Sequence, residues 1–320
     1  MLALAAPASL KGVLTPLEAA AYLAGGMRQV EGVRVDEAPV ADGGEGTAAV
    51  LEAALGGEWR TAVVQGPLGA PVAARWLVLP DGTAVVESSQ AVGLPLLSRF
   101  ERDPLSATSH GVGDLLLAAV ADGAASLLVG VGGTATVDGG AGMRERVGRR
   151  LDGVSIRVAC DVRNPLLGPR GAAPVFGPQK GAGPDEVVEL ERRLAAMTEL
   201  APYAGVPGAG AGGGLGAGLA ALGAELVPGS DLVLDLIGFD ARAGEADLVV
   251  TGEGAVDATT FEGKAAGTVI ERCRRLGVRC EVFGGLVAPG FDARPLSGRR
   301  ELAGEDLTRL GEELALTLIR

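Results

Sequence analysis

Aromatic residues make up 3% of this 320-residue chain, lysine occurs three times and histidine once. With so little aromatic bulk, the core has to be built from Ala, Val, Leu and Gly. Cysteine is also scarce. Cys160, Cys273 and Cys280 are odd in number and form no CxxC pair, which argues against a disulfide framework or a zinc site and makes a reducing cytoplasm the expected location. No apolar run approaches the ~18 residues of a membrane-spanning helix. The opening MLALAAPAS has no basic flank and meets Lys11-Gly12 at once, so a first buried strand is expected there rather than a signal peptide. Positive charge is in deficit as well. A net charge of −12 excludes the basic face that a nucleic-acid partner requires, although it leaves room for a small cationic site and spare carboxylates for magnesium.

Several catalytic signatures are missing. No G-x-S-x-G elbow is present, and the single histidine, His110 in Thr108-Ser109-His110-Gly111, has no neighbouring carboxylate motif, so it reads as a loop or cap residue. The Walker pattern fails twice: Gly263-Lys264 is followed by Ala265, and Ala258 stands where its first glycine belongs. Two segments fit a dinucleotide-binding pattern, Gly130–Ala135 loosely and Gly208–Gly213 fully. Neither lies in the first strand–helix–strand unit, Pro207 precedes the second, and chance matches are expected in a chain with 52 glycines.

What the chain does have is glycine in chosen places. Val129 to Met143, VGVGGTATVDGGAGM, carries six glycines, two threonines and Asp138 directly after the strand-like run Ser126–Val131. Glycine allows an anion to approach the main chain, and successive N–H groups can form a concave nest. Elsewhere the pattern alternates. Leu2–Ala8 reads as a strand. Thr15-Pro16-Leu17-Glu18 is a capping box with proline at the first helical position, opening a helix to about Gln29. Val33–Val40 reads as a second strand, followed by a helix to Leu55. Trp59–Gln65, Val72–Leu79 and Thr83–Glu87 look like antiparallel hairpins. Helices near 113–121 and 183–199 and strands at 126–131 and 154–160 follow. The βα rhythm returns with strands at 247–250 and 278–283 and helices at 265–276 and 305–319. The expected architecture is therefore α/β. A doubly wound parallel-sheet domain is formed by residues 1–60 and 240–320, and a second α/β domain, 61–239, is inserted in it and carries the glycine-rich phosphate loop.

Four polar loops, at 42–47, 131–142, 161–165 and 251–257, are expected at the C-terminal ends of strands, where open parallel sheets bind ligands. One such loop would be an ordinary turn; four, each with an acid, point to a site. Asp42, Glu45, Asp138, Asp161, Glu253 and Asp257 are its candidate acids. Lys11, Lys180 and Lys264, the only lysines, lie in these or similar glycine-flanked loops. Carboxylates for a metal and cations for phosphate oxygens suit phosphoryl transfer.

The motifs PASLKGVLT, ADGGEGT (41–47), ATSHGVGDLL (107–116), VGVGGTATVDGGAGM, ACDVRNPLLGPRGA (159–172), VFGPQKGA (175–182), GAGAGGGLGAGL (208–219) and TGEGAVDATTFEGK (251–264) occur in the order of the bacterial glycerate kinase family, which the chain resembles from about residue 5 to 285. The resemblance implies a two-domain α/β fold with the active site in the interdomain cleft, ATP and Mg2+, and D-glycerate converted to 2-phosphoglycerate or 3-phosphoglycerate. Carried onto this sequence, it places Asp42, Asp161 and Lys264 in catalysis and Ser9, Lys11, Asn164 and Lys180 on the substrate. It puts Gly132, Gly133, Thr134, Gly139 and Gly140 on the nucleotide phosphates, and Glu253 and Asp257 on the metal. Three positions depart from the family pattern: Ala8 where an Asp is usual, Val137 where an Asn is usual and Thr259 where a Gln is usual. A related hydroxy acid as acceptor, or ligand binding without turnover, are the alternatives. No nucleic-acid or membrane partner is expected, and the protein is expected to be a monomer or homodimer.

Overall fold

A computed structural model describes residues 1–261 and 264–319. Its strands are β1 (Leu2–Ala5), β2 (Arg34–Glu37), β3 (Glu58–Gln65), β4 (Pro71–Val78), β5 (Ala84–Glu87), β6 (Ser126–Gly130), β7 (Ser155–Ala159), β8 (Glu225–Val227), β9 (Leu248–Val256), β10 (Cys280–Val287) and β11 (Arg294–Pro295). The chain divides into two compact units, one of Met1–Asp42, Ala49–Ala54 and Ser230–Arg320, the other of Gly43–Ala48 and Leu55–Gly229.

The first unit is a five-stranded, fully parallel sheet in the order β11-β10-β9-β1-β2. Read from the other edge, this is a doubly wound order that reverses between β1 and β9, and ligands bind such sheets beyond the strand ends at that reversal. Helices Pro16–Met27 and Ala303–Leu318 bury Leu23, Met27, Leu307 and Leu314 on the face of the sheet carrying Ala3, Ala5, Leu248, Val250 and Phe283. The capping box at the start of the first helix is present in full: Thr15 Oγ1 accepts from Glu18 N–H at 3.2 Å, and Glu18 Oε2 accepts from Thr15 N–H at 2.8 Å. β9 runs further than its sequence suggests. Thr251-Gly252-Glu253-Gly254 is strand rather than loop, because β10 pairs with it from Cys280 to Val287. Gly252 is required there, since a Cβ would lie 2.6 Å from the Phe283 ring.

The second unit is a six-stranded sheet in sequence order, β3 to β8. β3–β4 and β4–β5 pair antiparallel, as the hairpin texture predicts, and β5 to β8 are parallel. Leu115, Leu116, Leu127, Val129, Met143, Ile156 and Leu215 are among its core residues. In the glycine-dense segment after residue 205, Gly212, Gly213 and Gly214 are left-handed, at φ of 61°, 73° and 89°, and form a kink that leads into a buried helical stretch ending at Ala220. A Cβ on Gly213 would overlap the Thr136 carbonyl oxygen. These glycines serve close backbone packing beneath the loop after β6.

Candidate active site

In the first unit the chain leaving β1 stays on the sheet. Ala6 N–H donates to the Val250 carbonyl at 2.8 Å and Ala8 N–H to that of Gly252 at 2.9 Å, which carries the segment past the order reversal. Ser9 there is half-buried and Lys11 is exposed in a turn closed by Gly12 at φ +70°. Gly254 runs directly beneath, and a Cβ on it would lie 3.4 Å from the Lys11 nitrogen. Glu253, Asp257 and Lys264 form one cluster at the end of β9. Lys264 Nζ lies 3.6 Å from Glu253 Oε2 and 4.0 Å from Asp257 Oδ1. The Asp257 Oδ1 atom accepts from Thr259 Oγ1 at 2.5 Å and from Thr259 N–H at 2.8 Å, and these bonds, the hydroxyl first, hold its pKa below the ordinary carboxylate value. Thr259 thus engages the acid its loop presents. Glu253 Oε1 is buried and has no hydrogen-bond partner among the described residues. Gly263 and Glu262 lie outside the described residues. The segment after β2 follows β1 outward, through Ala38 N–H to the Ala5 carbonyl and Val40 N–H to that of Pro7, and delivers a half-buried Asp42.

In the second unit the loop after β6 meets the segment after β5. Ala135 N–H donates to the Val92 carbonyl and Leu94 N–H to the Gly133 carbonyl, both at 2.8 Å. Gly133 is exposed and left-handed, at φ +73°. The N–H groups of Gly132, Gly133 and Thr134 make no hydrogen bond among the described residues. The other two glycines expected on phosphate behave differently. Gly139 N–H donates to the Gly213 carbonyl at 3.1 Å, Gly140 N–H donates to Asp138 Oδ1 at 3.1 Å, and both residues are buried. Asp138 also accepts from Ser109 N–H at 2.8 Å, Ser109 Oγ at 2.7 Å and Gly142 N–H at 3.2 Å, so its carboxylate already fills the N-terminus of helix Ala141–Val147. The N–H donors of Gly139 and Gly140 are thus engaged within the protein.

Lys180 is engaged in the same way. It is 3% exposed, with Nζ donating to Thr134 Oγ1 at 3.1 Å and to the Thr136 carbonyl at 2.7 Å, so it props the loop from within. Burial lowers its pKa to about 7, against the attraction of Asp138. Val137 is buried among Leu166, Leu190, Leu194 and Leu200, so the apolar residue at this position fills a core and removes nothing from the loop's open face. Asn164 Nδ2 donates to the Arg170 carbonyl at 2.8 Å, bracing its own loop, while half-buried Asp161 follows β7. Gly43, the residue after Asp42, is pressed against Ala159, two residues before Asp161; a Cβ on Gly43 would lie 2.6 Å from that of Ala159. His110 opens a helix, with Nδ1 2.8 Å from Thr108 Oγ1 and Nε2 3.2 Å from the exposed Glu145, a surface arrangement.

Sequence reasoning missed Glu87. It lies at the end of β5, 6% exposed, and its Oε1 accepts from Ala48 N–H at 2.9 Å; burial raises its pKa, opposed by the Ala48 and Gly46 N–H groups. An acid followed by Ser88-Ser89 at the end of an apolar strand was the available signal. Among the described residues no group of three or more His, Cys, Asp or Glu is placed to hold a metal, and no helix is long and apolar enough to cross a membrane.

A model of the glycerate kinase family matches residues 3–152 and 144–302. The chain belongs to the glycerate kinase family, and it is an enzyme of that family. It is 38% identical to the glycerate kinase of Halalkalibacterium halodurans, over 90% of this chain and 86% of that protein. It is 41% identical to the glycerate 2-kinase of Escherichia coli, over 81% and 78%. A crystal structure of a putative glycerate kinase 2 from Salmonella typhimurium superposes with a TM-score of 0.86 at 34% identity, covering all of this chain and 98% of that one. Every loop described above falls inside the matched residues.

Proposed function

We propose that the protein transfers the γ-phosphoryl group of ATP to a hydroxyl of D-glycerate, yielding 2-phosphoglycerate. The observation that carries the reading is the run of N–H groups at Gly132, Gly133 and Thr134, unengaged among the described residues and centred on the exposed Gly133, in a chain of this family, since a phosphate needs several such donors at once. Lys180 beneath it keeps the loop in place and contributes positive potential when protonated.

In the first unit, Glu253 and Asp257 suit a magnesium ion. A buried, unpartnered carboxylate oxygen is the donor such an ion takes, and Mg2+ is satisfied by one or two carboxylates with water and phosphate oxygens completing its shell. The ion would neutralise charge on the phosphates. Lys264, held beside both acids, can turn to the transferring phosphoryl group, and the exposed Lys11, with Ser9, can take the glycerate carboxylate. Asp42 or Asp161 would accept the proton of the acceptor hydroxyl as it attacks phosphorus. Cytoplasmic location is part of the same proposal.

The test is ADP release with D-glycerate, with other hydroxy acids and with no acceptor, and the product's phosphate position read by NMR. Asp42→Asn and Asp161→Asn are then compared with the wild type. Loss of the base is expected to lower kcat by ~10²–10⁴-fold with an unchanged circular dichroism spectrum. Near-normal turnover in both variants refutes the assignment of the base, and glycerate-independent ADP release refutes the acceptor.

A further inference from the structure

We propose that the Ser89 hydroxyl is a further binding donor at the glycine loop, hydrogen-bonding the anionic oxygen that sits on the Gly132–Thr134 N–H groups. The inference rests on reading this loop as an anion site and adds to it a side chain from a different strand end.

Ser89 lies in the short helix Ser88–Val92 after β5, the segment to which the loop is tied by the Ala135-to-Val92 and Leu94-to-Gly133 hydrogen bonds. Those two bonds fix Gly133 against the first turn of that helix. Within 4 Å of the place where a Cβ on Gly133 would be, the Ser89 Cβ is the one heavy atom found among the described residues, at 3.5 Å. Ser89 Oγ is buried yet has no hydrogen-bond partner among the described residues. A hydroxyl that lost its water on folding and found nothing in exchange is the kind of group a ligand satisfies.

The neighbouring hydroxyls are less suited. Thr134 Oγ1 already accepts from Lys180. Ser88 Oγ and Thr136 Oγ1 are also unpartnered and, like Ser89 Oγ, buried, but of the three residues only Ser89 lies within 4 Å of the place where a Cβ on the exposed Gly133 would be. The oxygen bound could belong to a nucleotide phosphate or to the acceptor's carboxylate. Both are anionic acceptors of an O–H donor, and separate titrations tell them apart.

Ser89→Ala and Ser89→Thr are compared with the wild type by steady-state kinetics in ATP and in D-glycerate, by calorimetric titration with ADP, inorganic pyrophosphate and D-glycerate, and by thermal melting. The alanine variant is expected to weaken one class of ligand by about tenfold, the value for one hydrogen bond to a charged group, and the threonine variant to recover most of it. Its melting temperature should hold or rise, because an unpartnered hydroxyl leaves the interior. Weakened ADP and pyrophosphate binding identifies the phosphate as the partner; weakened glycerate binding identifies the carboxylate. Affinities within twofold of the wild type overturn the proposal. So does a fall in melting temperature that tracks the lost affinity and that threonine does not reverse, since that marks a packing role. A wild type that binds none of the three probes overturns it as well. A wild type that binds pyrophosphate without phosphorylating glycerate fails the proposed reaction while leaving the Ser89 titrations decisive.

Discussion

Replacing Lys180 by Met keeps the length of the side chain and removes its charge, and the consequence should depend on pH in a definite direction. Burial brings the ammonium pKa from its ordinary 10.5 to about 7. Between those values the unfolded chain holds the proton and the folded protein does not, so stability rises with pH through that window. Below about pH 7 both states are protonated and the full cost of burying the charge is present, an upper figure of ~5 kcal/mol. The methionine variant carries no such cost, but it gives up the hydrogen bonds to Thr134 Oγ1 and the Thr136 carbonyl, ~1–3 kcal/mol together, with the carbonyl left unpaired. The variant should therefore match or exceed the wild type at pH 6, and the difference should move by ~3 kcal/mol in favour of the wild type by pH 9.5. Urea titrations of both proteins from pH 6 to 10 measure this, and taking the difference cancels every other titrating group. A difference that stays constant across the range refutes the burial of the lysine as the cause.

Other consequences follow from the same loop and its surroundings. Gly213→Ala should cost the left-handed strain of ~1–2 kcal/mol and a further ~1–3 kcal/mol for a Cβ against the Thr136 carbonyl. Gly123→Ala, at φ +104° with nothing near, should cost the strain alone, and equal melting temperatures would contradict the packing argument. Val137→Asn restores the residue usual in the family but should destabilise by ~1–3 kcal/mol and leave kcat/KM no better, because the amide enters an apolar cluster; improved turnover would contradict this. Arg272→Met leaves Asp231, Asp235 and Asp240, which converge on the buried guanidinium at 2.6–3.2 Å, facing one another. A loss of ~3 kcal/mol, eased by salt, is expected in thermal melts. Glu253→Gln should raise the magnesium concentration needed for half-maximal activity severalfold, and an unchanged requirement would remove Glu253 from the metal.

Much of the fold was legible because it rests on local rules. The Thr15–Glu18 capping box, the two hairpins between residues 58 and 87 and the helix over 265–276 follow from residue spacing and turn chemistry, and the structure has them within a few residues of where they are expected. The extension of β9 through Thr251–Gly254 was not legible, because glycine reads as a breaker until a partner strand is known; pairing with β10 overrides that preference. The left-handed kink at 212–214 and the helical stretch after it were hidden for the same reason, since their glycines are set by the backbone they pack against.

For the candidate site, the residue types and their order along the chain were decided by sequence alone: which loops carry acids, lysines and glycines, and which family they match. Only the tertiary structure decided which of those groups have anything left to give. Lys11 and Lys180 look alike as glycine-flanked lysines, yet one is exposed and the other holds up a loop from inside. Gly133 and Gly140 look alike in a glycine run, yet one has an unengaged N–H and the other has given its own to Asp138. Sequence specifies a donor or a charge, but its availability depends on what the fold brings within about 3 Å of it. For this loop those neighbours come from positions as distant in the chain as Ser89, Lys180 and Gly213.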